Sequence, residues 1–374
     1  MTARSRPLTI LHLAANRWWT GSADPVIRLV TGLAARGHRV MLGVVRGDRF
    51  EAKAREAGIE PLAGLDLRAR GWPAPIVRDF RRVRALVAHD RVDVVHAHHS
   101  HDHWLARLAT LRQERRVPVV RTFHNARAVG DDRAARWLYA RTAAVFAVSR
   151  GIEARCREVG IPAERVVAMP GIADTARFAP DGEGRSIRDE FGLGDAPVVV
   201  TVSRLAANRG HEALLAGFKA LLGRRPDARL LLVGKGETRR HLERVVEDLG
   251  LTKAAVFTGY RDVDLPAVLA AADCFVLMGA GSDESCRAAL EAMAAARPVV
   301  ARRVGALPDT VVDGETGVLL DDASAESVAG ALARILADRE AARAMGRAGR
   351  RRAEEFFSAA RAVSIVEATY RSVV

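Results

Sequence analysis

The feature that most restricts this chain is an alternation that runs along it twice. Short apolar runs at Leu8–Ala14, Arg39–Val45, Val92–Ala97, Pro118–Phe123, Ala144–Val148 and Val166–Met169 are separated by longer stretches whose apolar residues fall at helical spacing. After a stretch rich in Pro, Gly and charge, from Pro170 to Gly184, the series restarts at Val198–Val202, Arg229–Val233, Ala255–Thr258, Cys274–Met278, Val299–Ala301 and Val318–Leu320. Strands that alternate with helices form parallel sheets covered on both faces, so the pattern predicts an α/β chain of two Rossmann-like, doubly wound domains. The expected boundaries are a first domain over 1–172, a linker over 173–196, a second domain over 197–352, and a final helix over 353–374 packing back toward the first domain. Open α/β sheets bind ligands at the carboxyl ends of their strands, which puts the expected site in a central cleft faced by both domains.

Composition removes several alternatives. The 374 residues are 49% apolar and 28% charged, a globular mixture, and no run approaches the roughly 18 apolar residues that a membrane-spanning helix needs. Leu8 to Ala15 is short, contains His12 and runs into Arg17-Trp18-Trp19 without a small-residue cleavage site, so it reads as a core strand and not as a signal peptide. Cys156, Cys274 and Cys286 are odd in number and lack C-x-x-C spacing, which speaks against a disulfide framework or a zinc knuckle and fits a reducing cytoplasm.

The charge is lopsided. Basic residues number 58 against 45 acidic, for a net +13. Residues 1–170 hold 30 basic and 16 acidic side chains, whereas 171–374 hold 28 and 29. A one-sided basic domain suits an anionic membrane surface or an anionic acceptor. Nucleic acid is disfavoured, because aromatics make up only 5% of the chain and no RNA-binding or helix-turn-helix signature is present. Phe80, Val83, Leu86 and Val87 lie at helical spacing, with Arg78, Arg81, Arg82 and Arg84 on the remaining surface. That segment reads equally as a membrane-touching face or as an ordinary amphipathic helix.

No G-x-G-x-x-G joins a strand to a helix: Gly234-Lys235-Gly236-Glu237 supplies two of the three glycines, and the Walker pattern is absent. Three other strand ends carry the chemistry. Ser203-Arg204-Leu205-Ala206-Ala207-Asn208-Arg209-Gly210 leads into a helix near His211. Two guanidiniums beside a helix N-terminus suit a diphosphate, the alternative being solvated arginines in a polar loop. Gly279 to Met293 contains Ser282, Asp283, Glu284, Ser285, Arg287 and Glu291. Here carboxylates hold sugar hydroxyls, or else Asp283 caps a helix and Glu284-Arg287-Glu291 form an exposed ion-pair ladder. Val256 to Asp262, with Arg261, is by itself a turn after a strand.

Taken in order, Ser-Arg-Leu…Arg-Gly-His at 203–211, Leu-Leu-Val-Gly-Lys-Gly-Glu at 231–237, Val-Phe-Thr-Gly-Tyr-Arg-Asp at 256–262, an acidic-x7-Glu-Ala-Met-Ala pattern ending at 294, Arg-Pro-Val-Val-Ala at 297–301 and Asp-Gly-Glu-Thr-Gly-Val-Leu-Leu at 313–320 resemble the family-4 retaining glycosyltransferases of the GT-B fold. Similarity is dense from about Val198 to Asp321 and looser in the first half, through Leu33 to Val40, Asp93 to His98 and Val145 to Ser149. The resemblance implies that Arg204 and Arg209 grip the donor diphosphate, assisted by Gly234, and that Glu291 binds the ribose. Arg261 would border the base, and Asp283, with Ser282, Glu284 and Ser285, would approach the sugar. Gly21 would face the diphosphate from the first domain and His98 would lie beside the donor sugar, with His124 a further lining residue. It also implies front-face substitution by a metal-independent enzyme with a nucleotide-diphosphate-sugar as co-substrate and no cofactor. A glycan or lipid-linked acceptor is the expected partner, met in the cytoplasm or at the inner face of the cell membrane during polysaccharide or lipopolysaccharide assembly. Arg209 stands where lysine is usual, Asp283 where glutamate is, and Glu284-Ser285-Cys286 replaces a Gly-Phe-Gly-like turn. Thr20-Gly21-Ser22-Ala23 keeps one glycine of the usual Gly-Gly-x-Glu.

His96, His98, His99, His101 and His103, with His124, also invite a metal reading, since alternation along a strand sets His96 and His98 on one face. The resemblance accounts for His98 without metal, and structural roles cover His99, His101 and His103. A non-catalytic binding partner in a glycan-assembly complex and a nucleotide-sugar epimerase of the same architecture stay open as competing functions.

Overall fold

The structure, a computed structural model, describes residues 6–16, 21–68, 73–180, 182–281 and 283–374. The chain folds as two compact units, one comprising Met1–Pro170 with Ala359–Val374 and the other Gly171–Ser358.

The first unit is built on six parallel strands, β1 (Thr9–Ala14), β2 (Arg39–Val44), β3 (Val94–Ala97), β4 (Val119–Phe123), β5 (Ala144–Ala147) and β6 (Val166–Ala168), in the order β2-β1-β3-β4-β5-β6. Each falls within a residue or two of a run predicted from apolar patterning. The strand order reverses between β1 and β3, whose register sets His12 opposite His96. Helix Pro73–His89 buries Val83, Leu86 and Val87 and leaves Arg78, Arg81 and Arg82 exposed.

The last helix, Ala359–Val373, packs on helix Ala23–Ala35 of this same unit. Gly32 makes the approach possible, because a Cβ there would stand 2.5 Å from Val363 Cγ2. Arg36 donates to Glu367 at 2.8 Å and to Ser364 Oγ at 2.7 Å, fixing the register of the two helices. Val363, Val366 and Tyr370 are buried beneath it, each burial stabilising by about 1.5–3 kcal/mol.

The second unit repeats the plan with β7 (Val198–Val202), β8 (Arg229–Val233), β9 (Ala255–Gly259), β10 (Cys274–Leu277), β11 (Val299–Arg302) and β12 (Gly317–Leu320), all parallel, in the order β12-β11-β10-β7-β8-β9. Its strand order reverses between β7 and β10. Two boundaries differ from those read in the sequence. The Pro- and Gly-rich stretch 173–196 belongs to the core of this unit through Phe178, Ile187 and Leu193. Helix Arg339–Phe356 also stays with it, because Arg350 donates to the carbonyls of Thr175, Phe178 and Ala294 and Phe357 is buried. Loop-like composition hid these anchors, which are single apolar residues without a period.

Candidate functional site

In each sheet the reversal of strand order opens a crevice at the strands' carboxyl ends. In the second unit the crevice is bordered by the loop after β7, which enters helix His211–Leu222, and the loop after β10, which enters helix Arg287–Ala294. Glycines bring these loops into contact. Gly210 has φ +70° and a Cβ there would lie 2.7 Å from Met278 Cβ, while a Cβ on Gly279 would lie 2.8 Å from the Asn208 carbonyl oxygen. Gly281, at φ +80°, sits directly against the Arg209 guanidinium, and a Cβ on it would overlap Nη1.

Arg209 is thereby held half-buried, with its Nε lacking a protein partner. Burial first and the neighbouring Arg204 second lower its pKa, against the opposing pull of Cys286, Asp283 and Glu237. Arginine nevertheless stays charged at any ordinary pH. This is a strained cation, less stable without an anion than with one. Arg204 is exposed and pairs with Glu237 at 2.9 Å. Gly234, at φ +145°, lies against the Ser203 carbonyl, and Leu205 N donates to the Lys235 carbonyl at 3.1 Å, so the β7 and β8 loops are zipped together. His211 at the helix start donates to or accepts from Ser203 Oγ at 2.9 Å, and burial lowers its pKa to about 4.

Asp283 is buried, and its Oδ1 accepts from Ser285 N at 2.8 Å. It does not cap the helix, which starts only at Arg287 after Cys286 in the left-handed region (φ 53°). Glu284 therefore lies off the helix, its carbonyl accepting from Ala306 N at 2.8 Å. Arg287 pairs with Glu291 at 3.4 Å, and Glu291 is buried, so it is not part of an exposed ladder. Ser285 is buried beside Gly171. Ser282 lies outside the described residues. Arg261 is held elsewhere: it bonds Asp264 at 2.6 Å and Glu190, and its guanidinium stacks on Phe191 at 5.2 Å. Those two carboxylates raise its pKa. Arg204, Arg209, Gly234 and Asp283 are thus gathered, and the Arg261 side chain is engaged in joining helix Arg185–Glu190 to the loop after β9.

A cavity of about 270 Å³ lies at the other end of this sheet, beside Pro197, Asp273 and Pro298 at the amino ends of β7, β10 and β11. Its Arg188 and Arg297 are engaged by main-chain carbonyls and Asp273.

In the first unit the crevice lies between the ends of β1 and β3. Asp102 Oδ2 accepts from the backbone N–H groups of Ala15 and His99, both at 3.0 Å, tying the two strand ends together. His99 Nε2 donates to Asn16 Oδ1 at 2.8 Å, and Asn16 Nδ2 donates to Ser22 Oγ at 3.0 Å, which positions the turn at Gly21. His98 is fully buried, its ring stacked on His96 at 4.3 Å and on His124 at 5.9 Å. His103 bonds Thr142 at 2.8 Å, a structural role.

Two residues that sequence reasoning missed complete the cluster. His12 Nδ1 lies 3.0 Å from His98 Nε2. Tyr370, from the last helix, lies 3.3 Å from His12 Nε2 and 2.5 Å from His96 Nδ1, and His96 Nε2 lies 2.7 Å from Thr122 Oγ1. Burial depresses all three histidines, His12 to about 3, and raises the Tyr370 phenol, so the cluster is neutral. Nitrogens of His12, His96 and His98 lie within 4.8 Å of one another, as in a metal site. Both nitrogens of His12 and of His96, and Nε2 of His98, also lie within hydrogen-bond distance of a neighbouring side chain. The only signal for His12 was the register of β1 on β3, and for Tyr370 the return of the last helix.

These arrangements can be set beside known proteins. The Glycosyltransferase Family 4 model matches residues 20–177 and the Glycosyl transferases group 1 model matches residues 185–352. The chain is 40% identical over 211 residues to a GDP-mannose-dependent alpha-(1-6)-phosphatidylinositol monomannoside mannosyltransferase of Mycolicibacterium smegmatis, covering 54% of this chain and 55% of that one. It therefore spans about half the length of the curated relative it matches. It is also 26% identical over 352 residues to the alpha-D-kanosaminyltransferase of Streptomyces kanamyceticus, covering 83% of this chain and 89% of that one. Among solved structures, Anabaena HepE in complex with UDP and glucose superposes with a TM-score of 0.84 at 19% identity, covering 98% of this chain and 100% of that one, which is a likeness of fold. With one model on each half and two six-stranded parallel sheets beneath them, the chain belongs to the group 1 glycosyl transferases, with a family-4 first domain and the GT-B fold.

Proposed function

We propose that this chain is a retaining glycosyltransferase that moves a sugar from a nucleoside-diphosphate sugar to a hydroxyl of a glycan or lipid-linked acceptor in cell-envelope polysaccharide assembly. The observation that carries the reading is Arg209: a half-buried cation clamped on Gly281, beside Arg204, Asp283 and the start of helix His211–Leu222. The names of its relatives support the donor class, one being GDP-mannose-dependent and one fold neighbour having been solved with UDP and glucose.

In this reading the bond between the anomeric carbon and the diphosphate breaks with its electron pair going to the phosphate oxygen. The acceptor oxygen bonds the same face of the carbon, and its proton passes to the leaving phosphate. Arg209 and Arg204 favour the negative charge more as it forms, which is what lowers the barrier. A double displacement would need a carboxylate nucleophile at the reactive carbon. Asp283 instead has one oxygen engaged by Ser285 N and is read as a hydrogen-bond acceptor for sugar hydroxyls. Glu291 is read as the ribose contact and His98 as the residue beside the donor sugar. The two arginines supply the counter-charge, so the reading includes no divalent cation.

The enzyme is read as cytoplasmic and peripheral at the inner membrane face. Ile76 and Val77 are exposed beside Arg78, Arg81 and Arg82, and Trp137 stacks on Trp104 at 5.9 Å with Arg141 over it at 4.4 Å. Such mixtures of aromatic or aliphatic groups with arginine suit anionic lipid. No helix of the described residues is long and apolar enough to cross a membrane.

The test is a panel of nucleoside-diphosphate sugars, with and without phosphatidylinositol mannosides as acceptor, read by mass spectrometry for diphosphate release and by NMR for the anomeric configuration of the product. Acceptor-dependent release that is lost in Arg209→Ala supports the reading. Binding without turnover would identify a non-catalytic partner, and a new sugar formed without acceptor an epimerase. Failure of every donor to bind sinks the proposal.

A further inference from the structure

We infer that Tyr370 is a positioning residue for His98: acting through His12, the phenol of the last helix fixes which ring nitrogen of His98 carries the proton, so that Nδ1 is kept as an unprotonated acceptor. The inference deepens the proposed function and rests on its reading of His98.

Four contacts run in series: His98 Nε2 to His12 Nδ1 at 3.0 Å, His12 Nε2 to the Tyr370 oxygen at 3.3 Å, that oxygen to His96 Nδ1 at 2.5 Å, and His96 Nε2 to Thr122 Oγ1 at 2.7 Å. All five side chains are fully buried, so water does not complete the bonding. A neutral imidazole carries one ring proton and a phenol one hydroxyl proton. The cluster is neutral, since burial disfavours each charged form.

Tyr370 therefore donates to one histidine and accepts from the other, and the choice propagates. If it donates to His12 Nε2, then His12 must donate from Nδ1 to His98 Nε2, and His98 carries its proton on Nδ1. If it donates to His96 Nδ1, then His12 donates from Nε2 to the phenol oxygen and accepts at Nδ1, and His98 carries its proton on Nε2. The orphaned Nδ1 of His98 decides between them. A buried N–H left without a partner is rarer and costlier than a lone pair left without one, so His98 carries its proton on Nε2, the phenol donates to His96 and His12 donates to the phenol. His98 then has its Nε2 proton engaged by His12. Its Nδ1, buried and without a protein partner, is a free lone pair.

The same conclusion assigns a role to the last helix. Arg36, Glu367 and Val363 against Gly32 set the height at which Tyr370 enters the cluster, so packing of the last helix on helix Ala23–Ala35 is transmitted to the protonation pattern of His98.

The experiment uses the full-length chain labelled with 15N-histidine and long-range proton–nitrogen correlation spectra, with steady-state kinetics on the donor that the panel identifies. In the wild type, His98 should show a protonated Nε2 and a lone-pair Nδ1. Tyr370→Phe keeps the ring and removes the relay, so His98 should lose this single pattern and kcat should fall about tenfold with the donor KM unchanged, the scale of one net hydrogen bond. Thr122→Val, at the opposite end of the series, should shift the same resonances, and it serves as the variant if Tyr370→Phe does not fold. An unchanged His98 pattern in a folded variant overturns the relay. A changed pattern with unchanged kcat supports the relay and instead overturns the reading of His98 as a substrate contact.

Discussion

The guanidinium of Arg209 rests on the backbone of Gly281, in the space that any side chain at 281 would take. The contact links the two loops that border the β7/β10 crevice, and Gly281 at φ +80° also occupies backbone space that L-residues avoid. Gly281→Ala should therefore cost roughly 1–2 kcal/mol of stability and displace the cation. Donor turnover should drop by about 10²–10³, the effect of losing a pre-placed charge at the leaving group. Denaturant midpoints and kcat/KM on the same preparation check it, and Arg209→Ala should match the kinetic loss without the full stability loss.

Asp283 combines a turn contact with a candidate sugar contact, and the two can be separated. Asp283→Asn retains an oxygen for Ser285 N, so the melting temperature should shift by no more than a few degrees. Transfer activity should fall by at least tenfold if the carboxylate holds sugar hydroxyls, since bonds to charged groups are worth about 1.5–3 kcal/mol. Equal activity in the variant would reduce Asp283 to a turn residue.

Glu367 anchors the last helix to Arg36 at 2.8 Å and pairs with Arg371 of its own helix at 2.8 Å. Despite the opposing effect of burial, these arginines and His38 hold its carboxyl at about 2, against 4.5 for the free group. The unfolded chain binds the proton first on acidification. The stabilisation is accordingly complete above pH 4.5 and is lost as pH falls through about 2. Protection factors of the last helix, each referred to the intrinsic exchange rate at that pH, should fall over that window in the wild type, and Glu367→Gln should be less protected at neutral pH with the acid step diminished.

The three thiols are buried, Cys156 and Cys286 pushed up to about 12 and Cys274 higher still, each chiefly by burial. Only thiolate reacts readily. A disulfide reagent at pH 8 should find no fast-reacting cysteine in the folded protein and three in urea. A fast thiol in the native state would show that the Cys286 turn opens.

How far the sequence could be read follows from what each feature depends on. The strands were legible because a parallel strand buried on both faces is mostly apolar, and Val198–Val202 or Arg229–Val233 can hardly be anything else, even though β1, β3 and β4 carry buried His12, His96 and Arg121. Arg204, Arg209 and Asp283 were legible as strand-end groups because loops there line the crevice. Arg261 sat at an equally suitable strand end, but its partners are Asp264, at the start of helix Leu265–Ala271, and Glu190, the last residue of helix Arg185–Glu190 and 71 positions away, a meeting that spacing does not reveal. Glu284 was assigned to a helix because its spacing to Arg287 and Glu291 fits one, yet the left-handed Cys286 delays the helix by three residues. His12 and Tyr370 were out of reach for another reason: their meeting depends on which strand neighbours which and on a contact across 358 positions of chain.

The return of the last helix to the first unit carries a consequence for biogenesis. The segment bearing Tyr370 is synthesised after the whole of Gly171–Ser358, a delay of roughly 10–40 s at ribosomal speeds of about 5–20 residues/s. Until then the nascent first unit holds imidazoles whose phenolic partner does not yet exist. Maturation of that pocket is thus tied to chain completion, and a prematurely terminated polypeptide would expose a defect that chaperones and proteases can sense.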